Sequence, residues 1–268
     1  MKIVVCVKQV PATQQVEVDP QTGVLRRGGI ETKLNPYDLY ALETALQIKK
    51  KTGARIAVLT MGPDSAMAVL REGFALGADE GWLMSDRKFA GADVLATAYT
   101  LTEGIRQIGE VDLILCGKQT TDGDTAQVGP EMAEVLGIPH VSWAVELVDV
   151  DERGVTLRQP LTEADALVRM EYPCLVTVEK GIFQPNLPSY RRLMQAREMQ
   201  VHVLRADQCE QLDPDRIGLS GSPTQVERIF TPQHEVKTLR LEGSETESAA
   251  ALVAMLCEMK LWEGGQRS

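Results

Sequence analysis

The segment VDLILCGKQTTDGDTAQVGP, residues 111–130, decides the fold of this chain. It opens with a short apolar run ending at Cys116, which is the pattern of a buried strand. A glycine-rich turn follows, and residues 126–136 have the apolar spacing of a helix that ends before Gly137. The order strand, loop, helix predicts a βαβ unit, and loops at the carboxyl ends of parallel strands are where open α/β sheets bind ligands.

The same alternation extends in both directions from this segment. Nearly continuous apolar runs predict strands at residues 3–7, 56–61, 82–84 and 111–116, and helical spacing predicts helices at 36–52, 65–77, 92–108 and 126–136. Strands that alternate with helices form a parallel sheet covered on both faces. The predicted fold class is therefore α/β, with a mainly parallel sheet and helices on both faces.

The pattern changes after residue 140. Strands are predicted at 140–149, 154–159 and 166–178, with a hairpin turn at 151–154 and a short helix at 191–197. Residues 204–243 are polar and show little periodicity, and Ser244–Glu247 forms a capping box before a helix at 248–262. We predict an α/β domain at 1–203, followed at 204–268 by an extended arm and a terminal helix that packs on this domain or on a partner.

Composition excludes several classes of protein. The net charge of −10 argues against nucleic-acid binding, which needs a cationic surface. The five cysteines form no CxxC pair, which is typical of a reduced, cytoplasmic protein. No basic n-region precedes the first strand and no apolar stretch reaches the length of a membrane helix, so we expect neither a signal peptide nor a membrane span.

Three loops are predicted to meet the end of the first strand, Cys6–Lys8, at one edge of the sheet. They are Asn35–Asp38, Met61–Asp64 and Gly117–Pro130. Amides at the start of the helix after the third loop would favour an anionic group such as phosphate. Asp122 and Asp124 would repel phosphate, so they either brace the loop, accept hydrogen bonds from ribose or bind through a cation. The loop at 117–130 taken alone is explained equally well as a turn, and the other two are explained better as an N-cap and a turn, so only their convergence favours a nucleotide site.

Motifs for catalysis by the protein itself are missing. The sequence has no P-loop, no GxGxxG turn and no GxSxG elbow, and its three histidines have no ligand spacing, so we expect no catalytic side chain and no metal site. A nucleotide-binding chain of this kind would leave its chemistry to a cofactor.

An ordered set of segments resembles the electron-transfer flavoprotein beta-subunit family. They are VVCVKQVP at 4–11, DPQTG at 19–23, LNPYDLYALETALQIKKK at 34–51, VLTMGP at 58–63, ALGADEG at 75–81, residues 111–139 and PCLVTVEKG at 173–181. The resemblance implies an adenine-nucleotide-binding, Rossmann-like domain in a heterodimer with a larger alpha subunit that holds a redox-cycling FAD. Most members of the family bind a structural AMP in the beta subunit.

The loop at residues 122–130 resembles the flavin-bifurcating branch of the family, in which a second FAD replaces AMP. That resemblance implies that NADH is a transient donor, and that electrons pass to the alpha-subunit FAD and to a low-potential acceptor, ferredoxin or flavodoxin. FAD extends beyond the AMP moiety, and Gly123, Ala126 and Gly129 leave room for it. AMP is the alternative. The implied cofactor residues are Cys6, Val7, Lys8, Asn35, Pro36, Tyr37, Asp38, Met61, Gly62, Gly117, Lys118, Gln119, Asp122, Gly123, Asp124, Thr125, Ala126, Gln127 and Val128.

The family also docks a flavin-dependent dehydrogenase through a loop that precedes a helix in the second half of the chain. The matching segment here is residues 184–194, and the implied contact residues are Pro185, Leu187, Pro188, Tyr190 and Leu193. Tyr190 stands where many members have a leucine anchor, and the alternative is that it packs on its own domain. The sequence departs from the family at 160–173 and in the tail from 204, where the family wraps the alpha subunit.

Two functions of other classes compete with this one. An ATP pyrophosphatase of the same broad α/β type would carry an SGGxDS-like loop after the first strand, where residues 8–15 read KQVPATQQ. A nucleotide-sensing binding module would need neither the long tail nor the segment at 184–194.

Overall fold

A computed structural model describes residues 1–12, 31–227 and 238–262. The DPQTG segment at 19–23 lies outside these residues. The chain divides into two compact units, Met1–Val226 and Glu227–Ser268. Contact between residues 204–268 and a partner subunit stays a prediction.

The first unit is built on a seven-stranded parallel sheet, which confirms the predicted fold class. The strands of the unit are β1 (Lys2–Cys6), β2 (Gln9–Pro11), β3 (Thr32–Leu34), β4 (Arg55–Met61), β5 (Glu80–Met84), β6 (Leu113–Gly117), β7 (His140–Ala144), β8 (Glu146–Val150), β9 (Gly154–Pro160), β10 (Asp165–Glu171), β11 (Cys174–Val178) and β12 (Val201–Leu204). The order in the main sheet is β12-β5-β4-β1-β6-β11-β7.

Helices cover both faces of this sheet. They are α1 (Pro36–Thr52), α2 (Met67–Leu76), α3 (Val94–Ile108), α4 (Val128–Leu136) and α5 (Tyr190–Ala196). One core contains Val5 and Leu42, and the other contains Val4 and Met132. Successive residues of β1 enter opposite cores because side chains alternate along a strand. The continuous apolar runs in the sequence follow from this burial on both sides.

A three-stranded antiparallel sheet, β10-β9-β8, extends from the main sheet. The strand predicted at 140–149 is in fact two strands, because the chain leaves the main sheet after Ala144 and enters the small one at Glu146. The strand predicted at 166–178 divides in the same way between β10 and β11. Apolar periodicity does not reveal that consecutive runs belong to different sheets.

Residues 201–226 are part of the first unit. The sequence did not predict β12, which pairs with β5 at the edge of the sheet. Further on, the Asp93 carboxylate accepts hydrogen bonds from the Thr224 backbone at 3.0 Å and from its hydroxyl at 2.7 Å. The polar composition of residues 204–243 suggested an extended arm. Residues 204–226 are instead held by polar contacts such as those of Thr224 and by the buried side chain of Ile217.

The second unit contains helix α6 (Glu245–Glu258), whose start agrees with the predicted capping box. The Glu247 carboxylate accepts the Ser244 N–H at 2.8 Å, and the Ser244 hydroxyl accepts the Glu247 N–H at 3.4 Å. No residue of α6 is buried. Among the residues that the structure describes, no helix combines the length and the apolar character needed to cross a bilayer.

Candidate functional site

The carboxyl ends of three adjacent strands bring the predicted site residues to one edge of the sheet. Strand β1 lies between β4 and β6, and Cys6 is level with Leu59 on one side and with Cys116 on the other. The loops that follow β4 and β6 therefore flank the loop that follows β1. The convergence predicted for these loops is present in the fold.

Gly117 allows helix α1 to approach the end of β6. A Cβ at this position would lie 2.5 Å from Asp38 Oδ1 and 2.6 Å from the carbonyl carbon of Tyr37. Both distances are below van der Waals contact, and one of the two atoms is backbone. Any side chain here would displace the start of α1, so this glycine is required by packing within the chain.

Asn35 precedes α1 but does not cap it with its side chain, although the sequence suggested that it could. Its amide instead donates to Asp38 Oδ1 and to the Gln119 carbonyl, each at 2.9 Å. Its side-chain oxygen accepts the Thr121 N–H at 3.3 Å. This fully buried residue thus fixes the loop after β6 to the start of α1.

Asp38 joins the same network from the first turn of α1. Its Oδ2 accepts the Lys8 N–H at 2.8 Å, so the carboxylate ties the end of β1 to the helix. Burial removes the carboxylate from water and raises its pKa from 3.8 to about 7, against the opposing effect of hydrogen bonds from Asn35, Lys8 and Gly117. A carboxyl group that titrates near neutral pH therefore lies beneath the strand tips.

The loop between β6 and α4 is open to solvent at residues 121–125. Two non-glycine residues in it, Asp124 and Ala126, have φ of 56° in the left-handed region. Such conformations cost of order 1–3 kcal/mol each and are found disproportionately at functional sites. The loop is therefore held in a shape that its own residues do not prefer.

Both acidic residues of this loop brace it. Lys8 Nζ lies 2.8 Å from Asp122 Oδ1, and the Gln119 amide donates to Asp124. Burial opposes ionisation of Asp122, but the Lys8 hydrogen bond and charge outweigh it and lower the pKa of Asp122. Lys8, two residues beyond the end of β1, thus offsets the charge of the Asp122 carboxylate.

Helix α4 begins at Val128, with Gln127 at the N-cap position. Thr125 and Ala126 therefore belong to the loop, and the free amides of the first helical turn start at Val128. Gly129 is buried, and a Cβ there would lie 2.6 Å from Thr177 Cγ2. Gly123 differs, because its nearest neighbour would be Thr120 Oγ1 at 3.4 Å, an ordinary contact. Packing within the described chain does not require a glycine at position 123.

The remaining predicted residues surround this network. Val7 and Cys6 are buried, and Pro36, Tyr37, Met61 and Gly62 are partly buried. The Gly62 N–H donates to the Met84 carbonyl at 3.0 Å, so this turn is tied to β5.

The thiols of Cys6 and Cys116 lie side by side at the ends of β1 and β6. A hydrogen bond from the Cys116 thiol to Cys6, burial, and the nearby charge of Asp38 raise the pKa of the Cys116 thiol well above its usual value. Both cysteine side chains are buried.

One cluster next to the site was not found from the sequence. Lys118 Nζ lies 2.6 Å from Glu179 Oε2 and 4.6 Å from the centre of the Trp143 ring. Trp143 is partly exposed and has a φ of 62°, an outlier for a bulky side chain. No local pattern marks Trp143, because its contacts come from β6 and β11, which are distant in sequence.

The predicted docking segment, residues 184–194, presents its apolar side chains to solvent. Leu187 is 94% exposed and Tyr190 is 78% exposed, so Tyr190 does not pack on its own domain. Leu193 is exposed on the same short helix, while Pro185 and Pro188 are partly buried. Two grooves, of about 460 and 190 Å³, lie between this segment, α1 and α2, and neither reaches the strand tips.

Known proteins with similar sequences cover almost the whole chain. A sequence model described as "Electron transfer flavoprotein domain" matches residues 22–208. The chain is 42% identical over 265 residues to the electron transfer flavoprotein subunit beta of Megasphaera elsdenii, covering 96% of this chain and 97% of that protein. It is 41% identical to the caffeyl-CoA reductase-Etf complex subunit CarD of Acetobacterium woodii, covering 96% and 98%. It is 39% identical to protein FixA of Azorhizobium caulinodans, covering 95% and 93%.

Proposed function

The chain belongs to the electron transfer flavoprotein family as a beta subunit, the partner of an alpha subunit, and from this premise we propose that it binds FAD at the strand tips. In complex with the alpha subunit it would pass electrons from NADH to the alpha-subunit FAD and to a low-potential acceptor, ferredoxin or flavodoxin. The complex would serve a flavin-dependent dehydrogenase in the cytoplasm.

The observation that carries this proposal is the difference between two glycines of one loop. Gly117 is required by the chain's own packing, because a Cβ there would collide with α1. Gly123 is not so required, since a Cβ there would meet its nearest described neighbour at ordinary contact distance. A glycine that internal packing does not need, in an open and strained loop, favours close approach by a ligand. This supports the proposal that an extended nucleotide lies at the strand tips.

The chain's own groups have separate parts in this binding. The N–H groups of Val128 and Gly129 at the start of α4 would hold a phosphate group, since Pro130 has no N–H and the Glu131 N–H is bonded to the Gln127 carbonyl. Lys8 would reduce the repulsion between Asp122 and that phosphate, since the two side chains form an ion pair. Asn35 and Asp38 would keep the loop at a fixed distance from β1. When bound, FAD would supply the redox chemistry that these side chains lack.

The nucleotide content of the purified heterodimer tests the proposal directly. Acid extraction followed by chromatography should release two FAD per heterodimer. One FAD and one AMP would instead identify a non-bifurcating subunit with a structural AMP, and would reject the bifurcation proposal. A stable monomer that binds ATP without a flavoprotein partner would indicate a nucleotide-sensing module.

A docking site for the dehydrogenase at 184–194 completes the proposal. Leu187 and Tyr190 are large apolar side chains exposed on one short segment, which is how small, transient interfaces present their anchors. The segment lies next to the C-terminal half of α1, whereas the first turn of the same helix lies at the strand tips. Docking and cofactor binding would therefore use separate surfaces of the chain.

A further inference from the structure

A buried carboxylate on α1 holds the start of the docking segment. Glu43 is only 2% exposed, and its Oε1 accepts the side-chain amide of Asn186 at 2.8 Å. Its Oε2 accepts the backbone N–H of the same residue at 3.2 Å. The third hydrogen bond to this carboxylate comes from Gln47 of α1, at 2.6 Å from Oε1. Two of its three hydrogen bonds therefore come from one residue of the docking segment.

The other end of the segment is held by arginines. Arg71 on α2 donates to the carbonyls of Ala196 and Arg197, at 2.9 and 2.6 Å, where α5 ends. Arg192 on α5 donates to the Leu76 carbonyl at 3.1 Å, where α2 ends. Guanidinium groups at the ends of both helices add favourable charge next to the helix dipoles.

The middle of the segment lacks such support. The groove of about 460 Å³ is lined by Leu187 and Pro188 on one side and by Leu46 and Leu76 on the other. Leu187 is almost completely exposed above it. The docking segment is thus held by hydrogen bonds at both ends, whereas its apolar centre is exposed above the groove.

We propose that Glu43 is a positioning residue for partner docking, which acts by pinning Asn186 so that Leu187 and Tyr190 are presented in one conformation. The inference rests on the proposed docking function of the segment. Among the described residues no cationic side chain pairs with Glu43, so the hydrogen bonds from Asn186 and Gln47 are what compensate its burial. Ordering the segment before association removes a conformational cost that the encounter would otherwise carry.

Pinning can be measured without any partner. In the purified heterodimer, N186D places a second carboxylate against Glu43, and trypsin cleavage after Arg191 and Arg192 should become about tenfold faster, because a hydrogen bond is replaced by repulsion. In the double variant E43Q/N186D, an amide at position 43 faces a carboxylate at position 186, so that the hydrogen bond can form again with the two groups exchanged. The cleavage rate should therefore return to within about threefold of the parent. Q47A removes the other donor to Glu43 and is the matched control, with little change expected.

Docking is measured separately, with a flavin-dependent dehydrogenase as the electron-transfer partner. N186D should raise the KM for the dehydrogenase about fivefold and leave kcat and flavin content unchanged, since the segment is distant from the strand tips. E43Q/N186D should recover most of the loss. A general loss of structure would instead lower kcat and flavin content together.

The outcomes separate this inference from the function on which it rests. The role of Glu43 is overturned if N186D leaves the rate of trypsin cleavage unchanged. It is also overturned if N186D leaves KM unchanged although L187A raises it. Unchanged KM in both L187A and Y190A overturns docking at this segment, whatever the cleavage rates show about pinning.

Discussion

At the scale of single residues, the strand tips depend on a few buried polar groups. Asp38 and Asn35 connect the end of β1, the first turn of α1 and the loop after β6. Gly117 makes this arrangement sterically possible. The network is closely packed and contains a carboxyl group that is costly to ionise.

Asp38 should make stability depend on pH. Its pKa is about 7 in the folded chain and 3.8 without burial, so the folded state binds more protons between these values. The free energy of unfolding should therefore fall as pH rises from about 4 to 7, by at most roughly 4 kcal/mol from this group. In D38N that part of the pH dependence should be lost. Urea unfolding of both proteins at pH 5 and pH 8 measures the difference, and parallel profiles would contradict the assignment.

The two glycines predict opposite behaviour for one substitution. G117A should lower the free energy of unfolding by about 1–3 kcal/mol, because α1 must move away from β6. G123A should leave the stability of the nucleotide-free chain within about 0.5 kcal/mol of the parent, yet weaken nucleotide binding. Urea unfolding and nucleotide titration distinguish the two effects. Equal nucleotide affinity in G123A and the parent would argue against close ligand approach at this loop.

At the scale of elements, the second half of the chain attaches short pieces to the parallel sheet. Strand β12 extends the sheet beyond β5, and α5 packs on α2. The segment that leads into α5 exposes apolar side chains that a purely structural connection would bury. The exposed apolar centre of this segment is therefore explained best by a partner.

Tyr190 should matter for docking and not for folding. Because its side chain is 78% exposed, Y190A should change the free energy of unfolding by less than about 0.5 kcal/mol. It should nevertheless raise the KM for the dehydrogenase about tenfold, as expected for an anchor residue. L167A on β10 is the matched control, since Leu167 is 68% exposed on the small antiparallel sheet. Equal effects of the two variants on KM would remove the special role of the segment.

At the scale of the whole molecule, the main sheet and both hydrophobic cores lie within Met1–Val226. The described part of the second unit contributes one helix without a buried residue. An exposed helix with apolar residues such as Leu252 and Val253 is suited to contact with another chain. The family membership makes the alpha subunit the expected partner.

Removal of residues 227–268 should separate folding from assembly. The remaining chain keeps both cores, so its unfolding midpoint should stay close to that of the parent. Its yield in co-purification with a tagged alpha subunit should fall at least about tenfold, because the contacts of the arm are lost. Full retention of the alpha subunit would show that the first unit alone makes the interface.

The sequence by itself determined the parallel sheet and predicted which loops meet at one of its edges. Apolar runs such as residues 3–7 are continuous because β1 is buried on both faces, and that property is local enough to be visible in one strand. The placement of the loops at one edge followed from the direction of parallel strands. The order of matching segments indicated the family, which the similar proteins then established.

Only the tertiary structure decided how side chains from distant segments meet. Asn35 was expected as a possible cap and is instead a bridge to Gln119, and Glu43 is a helical residue whose partner Asn186 is far along the chain. The division of residues 140–149 between two sheets likewise depends on which strands lie beside them. Propensity and periodicity report the surroundings of one segment averaged over its length, whereas a hydrogen bond between two side chains depends on the packing of the whole chain.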